Sequence, residues 1–149
     1  MSTSSGSLLI TTKLFPNACL YISIFEKSNT LLGKVKISGG GRCNVTHHCF
    51  NPKELIQYYP RGGKQLLGPF HTFGPTETIA WFKKYGVILK TEDDGRMFPT
   101  TDNSATIINC FLDAVDQFGI KVKTQSGIEK IIPKENGIKG WTIQFQHGG

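Results

Sequence analysis

The sequence predicts a mixed α/β domain whose parallel strands are joined by crossovers. Three patterns lead there. Residues 19–25 form an apolar, β-favouring run. Ile108, Phe111, Leu112 and Val115 recur at the i, i+3, i+4, i+7 spacing of an amphipathic helix. Residues 120–123 then alternate apolar and basic side chains, as a half-exposed strand does. Strand, connection, helix, strand is the order in which a parallel pair is built.

Each element has a local reason. Residues 1–9 are rich in Ser and Gly and read as a frayed, disordered start. Residues 10–15 are too short to assign, and Pro16-Asn17 stops what precedes it. Residues 19–25 read as a buried strand. Residues 28–50 are loop-like and glycine-rich, with room for a short helical turn. A helix is expected over 52–59, with Asn51 as cap, Pro52 in its first turn and Pro60 as its end. A second is expected over 76–85, with Ile79, Phe82 and Tyr85 on one face, Thr76 as cap and Gly86 as stop. Residues 87–90 read as a strand, and Asp94-Gly95 as a hairpin turn into Arg96-Met97-Phe98. The strongest helix spans 104–118, capped by Asp102 or Asn103 and ended by Gly119. Residues 128–132, the turn Glu135-Asn136-Gly137, and Trp141, Ile143 and Phe145 alternating with polar neighbours predict a closing hairpin. No repeat or linker divides the chain, so residues 1–149 read as one domain.

Composition narrows the function. The formal charge is +6, from 17 Lys and Arg against 11 Asp and Glu, which favours anionic ligands. The lysines are scattered and no basic run of five occurs, so a solvated surface is preferred over a nucleic-acid interface. Cys19, Cys43, Cys49 and Cys110 form no CxxC pair, which fits a reduced, cytoplasmic setting. No stretch approaches the ~18 apolar residues of a membrane span. No basic region precedes the first apolar residues, so no secretory signal is expected.

The chemistry concentrates in Ser38-Gly39-Gly40-Gly41-Arg42-Cys43-Asn44-Val45-Thr46. Three consecutive glycines let a backbone turn tightly and approach a ligand closely. Ser38, Arg42, Asn44 and Thr46 add donors suited to phosphate and sugar oxygens. Glu26 stands where a strand-ending acid accepts a ribose hydroxyl in a dinucleotide fold. The pattern is half of a nucleotide-cofactor site. The glycine fingerprint expected about 20 residues before such an acid is missing, since Gly6 is the only glycine in that window.

Other motifs have plainer readings. Cys43, His47, His48 and Cys49 do not follow zinc-ligand spacing, so no metal is expected. Glu92-Asp93-Asp94 beside Gly95-Arg96 reads as a charged turn. Cys43 has no resolving partner nearby and reads as structural or ligand-lining. Trp81, Phe82 and Tyr85 read as core. No nucleophile–base triad is visible, and no catalytic residue is assigned.

These segments together resemble the YhiN/BaiN-like flavoproteins, often described as NAD(P)/FAD-dependent or aminoacetone-oxidase-like oxidoreductases. The resemblance rests on Ile24-Phe25-Glu26-Lys27, on Leu32 through Thr46, on Phe73-Gly74-Pro75 and Gly86-Val87, and on Glu92-Asp93-Asp94-Gly95-Arg96-Met97-Phe98-Pro99. It ends with the helix leading into Gly119-Ile120-Lys121-Val122 and covers about residues 10–146. It implies a Rossmann-like, glutathione-reductase-type FAD-binding domain with a β-hairpin. By that likeness Glu26 holds the adenosine ribose, with Lys27 beside it. Lys34, Ser38, Gly39, Gly40, Gly41, Arg42, Cys43, Asn44 and Thr46 run along the pyrophosphate towards the flavin. Backbone near Gly127 and Ile128 approaches the adenine.

FAD is the implied cofactor, with NAD(P)H as the electron donor left open for the full-length family. The implied partner is a small-molecule substrate. Family proteins are several times longer, and they begin with a strand and a fingerprint that this chain lacks. The expectation is therefore an incomplete FAD-binding domain of an oxidoreductase, with weak or no activity alone. Two alternatives stay open: a non-enzymatic remnant, and a small basic anion- or nucleic-acid-binding module.

Overall fold

A computed structural model describes residues 21–135 and 139–146. The start expected to be frayed, the first two residues of the expected strand 19–25, and Asn136-Gly137 of the expected turn lie outside the described residues.

Strand β1 (Ser23–Phe25) runs parallel to β5 (Lys121–Lys123), in the register Ser23↔Lys121, Ile24↔Val122, Phe25↔Lys123. The expected parallel pair is therefore present. Its expected burial is not, because Ile24 is exposed and Phe25 only half-buried. Among the described residues β1 has one strand neighbour, and Phe25 leans on Phe145 with ring centroids 5.0 Å apart.

Everything between β1 and β5 forms the crossover. It holds α1 (Gly33–Ile37), a 3-10 turn (Ser38–Gly41), β2 (Thr46–His47) and α2 (Pro52–Leu55). There follow α3 (Gly63–Thr72), α4 (Pro75–Lys84), β3 (Leu89–Thr91), β4 (Arg96–Pro99) and α5 (Ser104–Gln117). Strands β2, β4 and β3 make an antiparallel sheet in that order, with β4 central. Strands β6 (Ile128–Pro133) and β7 (Trp141–Phe145) close the described chain as an antiparallel hairpin.

Several expected signals act as read. The Asn51 side chain accepts from Lys53 N at 3.0 Å and caps α2, which passes into a 3-10 turn at Ile56–Tyr58. The Asn103 side chain accepts from Ala105 N at 2.9 Å and caps α5. Gly86 and Gly119 follow their helices with positive φ of 80° and 61°.

Three expectations are corrected. Helix α4 starts at Pro75, not Thr76; its cap is Gly74, whose N–H donates to the Glu77 carboxylate at 2.8 Å. Thr76 is simply in the first turn. Val87 precedes β3 and is buried in the core. On α5 the buried stripe is Ile107, Cys110 and Ala114, with Phe111 half-buried, while Leu112 stays 37% exposed. The helix is apolar on two sides, and Cys43, Phe82 and Val87 select the Ile107 side. Helix α3 had no expected counterpart, because Gly62, Gly63, Gly68 and Pro69 punctuate it. Its surviving signal is Leu66, Leu67 and Phe70, which share a half-buried face.

The core joins Cys43, Phe82, Val87, Ile107 and Cys110, flanked by Val35, Val45, Trp81 and Leu89. The Trp81, Phe82 and Tyr85 group belongs to it as expected, with Trp81 and Phe111 rings 5.5 Å apart. Phe98 in β4 is fully buried, at 0% exposure. Among the described residues no helix is long and apolar enough to cross a membrane.

The α5 phase is testable. Ile107→Ala, at 1% exposure, is expected to lower unfolding free energy by about 2–5 kcal/mol. Leu112→Ala is expected to cost about 1 kcal/mol or less. Denaturant midpoints of the two variants check the order, and a larger loss at Leu112 would reverse the assignment.

Candidate functional site

The residues singled out from the sequence fall into two groups, with α1 running between them in the chain. The first lies at the ends of the parallel pair. Glu26 N donates to Lys123 O at 2.8 Å, continuing the β1–β5 ladder. Its carboxylate accepts from Ser28 N at 2.8 Å, and that backbone N–H holds it below the usual glutamate range. The segment after β5 packs alongside: Ser126 N donates to Glu26 O at 2.8 Å and Gln125 N to Ser28 O at 3.0 Å. A methyl group on Gly127 would stand 3.2 Å from Lys27 Cγ. Glu26, Lys27 and the backbone leading to Ile128 are thus one neighbourhood.

The second group is the glycine loop. Leu32 O accepts from Lys36 N at 3.0 Å to start α1, where Lys34 is exposed. The helix stops at Ser38, whose hydroxyl donates to Val35 O at 2.9 Å. Gly39, Gly40 and Gly41 then take positive φ of 55°, 68° and 85°, and Cys43 takes 64°. Left-handed backbone costs a side-chain-bearing residue ~1–2 kcal/mol, which is why glycines stand here. Cys43 N donates to Ser38 O at 3.0 Å and closes the loop.

The three glycines do different work. A methyl group on Gly39 would lie 2.8 Å from Phe98 Cε1 and 2.9 Å from Asn44 N. Gly39 is therefore needed for packing. A methyl group on Gly40 would meet nothing within 4 Å, and one on Gly41 only Lys36 O at 3.9 Å. The backbone at Gly40 thus faces open space.

Side chains around the loop divide in the same way. Cys43 is buried in the core, where burial pushes its thiol up, so its side chain is inward and unreactive. Asn44 is exposed and Thr46 half-buried. Both line a cleft of about 430 Å³ with Val45, His47, Tyr58, Tyr59, Asp94 and Arg96. Arg42 has neighbours that its sequence context did not announce. Its guanidinium pairs with Glu92, lies 3.6 Å from Asp102 and stacks 4.0 Å above the Phe98 ring. The cation expected to face a diphosphate is engaged by two carboxylates.

Glu92-Asp93-Asp94 makes the expected charged turn. Gly95 N donates to Glu92 O at 2.8 Å, and Arg96 Nε donates to Asp94 Oδ2 at 2.6 Å. Lys90 pairs with Asp102, and this bond holds the Asp102 carboxyl below the usual aspartate range. His47, which the sequence reads as a loop polar group near a ligand, lines the same cleft. Its ring lies 4.1 Å from Tyr58, Nε2 is 3.1 Å from Asp94 O, and a methyl group on Gly95 would overlap it at 2.5 Å. The signal for that placement was Gly95 itself, which leaves room for that ring. Among the described residues no group of three or more His, Cys, Asp and Glu gathers as a metal site.

Comparison with known proteins shows the family. Residues 9–147 match the family model described as the HI0933-like protein Rossmann domain. Three curated relatives are similar at low identity. The chain is 23% identical over 123 residues to the 3-dehydro-bile acid delta(4,6)-reductase of Clostridium scindens, covering 83% of this chain. It is 24% identical over 114 residues to the ribosomal RNA dihydrouridine synthase of Escherichia coli, covering 74%. It is 20% identical over 118 residues to the protein of that name in Haemophilus influenzae, covering 79%. In each case the match spans 28% of the relative's length.

Two outcomes are expected. Gly39→Ala adds overlap with Phe98 to left-handed strain and costs about 2–4 kcal/mol, whereas Gly40→Ala costs about 1–2. Thermal unfolding of both variants checks the difference. The depressed Asp102, Asp94 and Glu26 carboxyls stabilise the fold above the usual carboxylate range of about 4. That contribution is lost as pH falls through their lower folded values. Unfolding followed from pH 6 to pH 2, roughly the window in which carboxylates titrate, is expected to show falling stability, with a shallower fall in Asp102→Asn.

Proposed function

The chain belongs to the HI0933-like family of Rossmann domains, and from that premise we propose that it is the flavin-binding part of a flavin-dependent oxidoreductase. One observation carries the reading: a left-handed glycine turn with open space beside Gly40. FAD is the flavin we favour, because Glu26 offers an ionised acceptor at a strand end, where a ribose hydroxyl donates.

The residues fit the group. Glu26 and Lys27 stand beside backbone 125–128, a surface for an adenosine. Backbone at Gly40 and Gly41 can approach a diphosphate without a side chain intervening. Lys34, on α1, adds positive charge at the start of that path. Asn44 and Thr46 point the path towards the cleft beside His47. Bound there, a flavin supplies electron or hydride transfer. The chain supplies placement: an acceptor for the ribose, close backbone for the phosphates, and a polar cleft beyond them. Cys43, Cys49 and Cys110 are free thiols, in keeping with a cytoplasmic setting.

The activity of the whole protein is also a proposal: redox change of a small organic substrate, with NAD(P)H as donor. A second reading has its own support. The chain carries a formal charge of +6, and two relatives are named for dihydrouridine synthesis in ribosomal RNA. On that reading the whole protein acts on RNA, and association weakens steeply with salt.

Residue-resolved amide spectra of the 149-residue chain titrated with FAD test the flavin reading. Saturable shifts in residues 26–28 and 38–46 are expected, with affinity reduced about tenfold in Glu26→Ala, the loss of one charge-assisted hydrogen bond. A folded chain whose loop amides do not move at millimolar FAD would sink it. Shifts produced only by a uridine-rich RNA would replace it with the RNA reading.

A further inference from the structure

The geometry points to Arg42 as a positioning residue, which holds the glycine loop in shape through Glu92, Asp102 and Phe98 rather than binding the cofactor itself. This rests on the flavin reading for its ligand, but not for its mechanics.

Arg42 follows directly on the three left-handed glycines, the least self-supporting stretch of backbone in the site. Its guanidinium reaches 50 residues along the chain to Glu92, with Nη1 on one carboxylate oxygen and Nη2 3.4 Å from the other. Asp102 stands 3.6 Å away in the loop before α5, and the Phe98 ring lies 4.0 Å beneath. Both carboxylates have further cations. Arg96 lies 3.8 Å from Glu92, and Lys90 pairs with Asp102. They are fixed posts to which Arg42 ties the loop. A lone exposed ion pair contributes little, but a two-pronged pair inside a network and against a ring orders what it holds.

Phe98 makes the tie mechanical. The ring that Arg42 covers is the one on which Gly39 packs, with no room for a methyl group between them. Guanidinium and glycine meet the same ring, so moving Arg42 frees the loop to tilt. A diphosphate approaching the guanidinium would come close to Glu92 and Asp102, two like charges.

The two roles predict opposite behaviour in one variant. Arg42→Ala, Glu92→Ala and the double variant of the 149-residue chain are compared by amide exchange without ligand and by FAD titration. If Arg42 is a latch, both single variants speed exchange at the amides of positions 42 and 43 at least tenfold. Both weaken FAD by a similar factor, fivefold or more, and the double variant is no worse than either. Arg42→Lys recovers part of the loss. If Arg42 binds the diphosphate, Glu92→Ala releases it and FAD tightens while Arg42→Ala weakens it, which would overturn the proposal. Unchanged loop exchange in Glu92→Ala would overturn it too. Amides of α5 report whether each variant is folded, with Glu92→Gln replacing Glu92→Ala and Arg42→Gln replacing Arg42→Ala where either is not. A wild-type chain that ignores FAD refutes the flavin reading alone, and the exchange arm still decides the latch.

Discussion

After α1 the chain must reverse within a few residues and enter the β2–β4 ladder. It does so by staying left-handed through Gly39, Gly40 and Gly41. Such a backbone has no side chains of its own to pack, so its position must be imposed from outside. Phe98 presses on it from below, Cys43 anchors its far end in the core, and Arg42 ties it to the β3–β4 turn. The remaining architecture serves these three supports. Strand β4 is central in its sheet, which fixes Phe98, and α5 packs over Cys43 while its Ser104 hydroxyl donates to Lys36 O at 2.9 Å. The proposed approach of a ligand at Gly40 rests on the packing of Gly39 and Cys43.

Much of this was legible in the chain. Asn51 and Asn103 cap the helices they were read as capping, since a cap is a local signal with a local partner. The Asp94-Gly95 turn and the 128–145 hairpin follow from turn chemistry and alternation. The parallel pairing of β1 with β5 followed from element order alone.

What was not legible depended on partners far along the chain. Helix α5 carries apolar residues on two sides, and periodicity could not say which side Cys43 and Phe82 would meet. Helix α3 is held by its neighbours despite Pro69 and three glycines, a tertiary override of weak local preference. Arg42 beside a glycine triplet reads as a phosphate ligand, and the sequence shows its neighbours at 41 and 43 but not its pairing with the carboxylate at 92. Glu92 in turn reads as a turn acid. Each was half of an interaction whose other half lay 50 residues away.

The contact between Gly39 and Phe98 also bears on how this chain can diverge. Position 39 has no spare volume while a phenyl ring occupies position 98. Shrinking the ring at 98 would not free it, because Asn44 N would still lie 2.9 Å from a methyl group at 39. Such an intermediate would also carry a void in the centre of the β2–β4–β3 sheet and an arginine without its stacking surface. The route is closed in either order by separate defects, one steric and one of packing. The pair should therefore be inherited as a unit, while Gly40, with open space beside it, is constrained only by its left-handed φ of 68°.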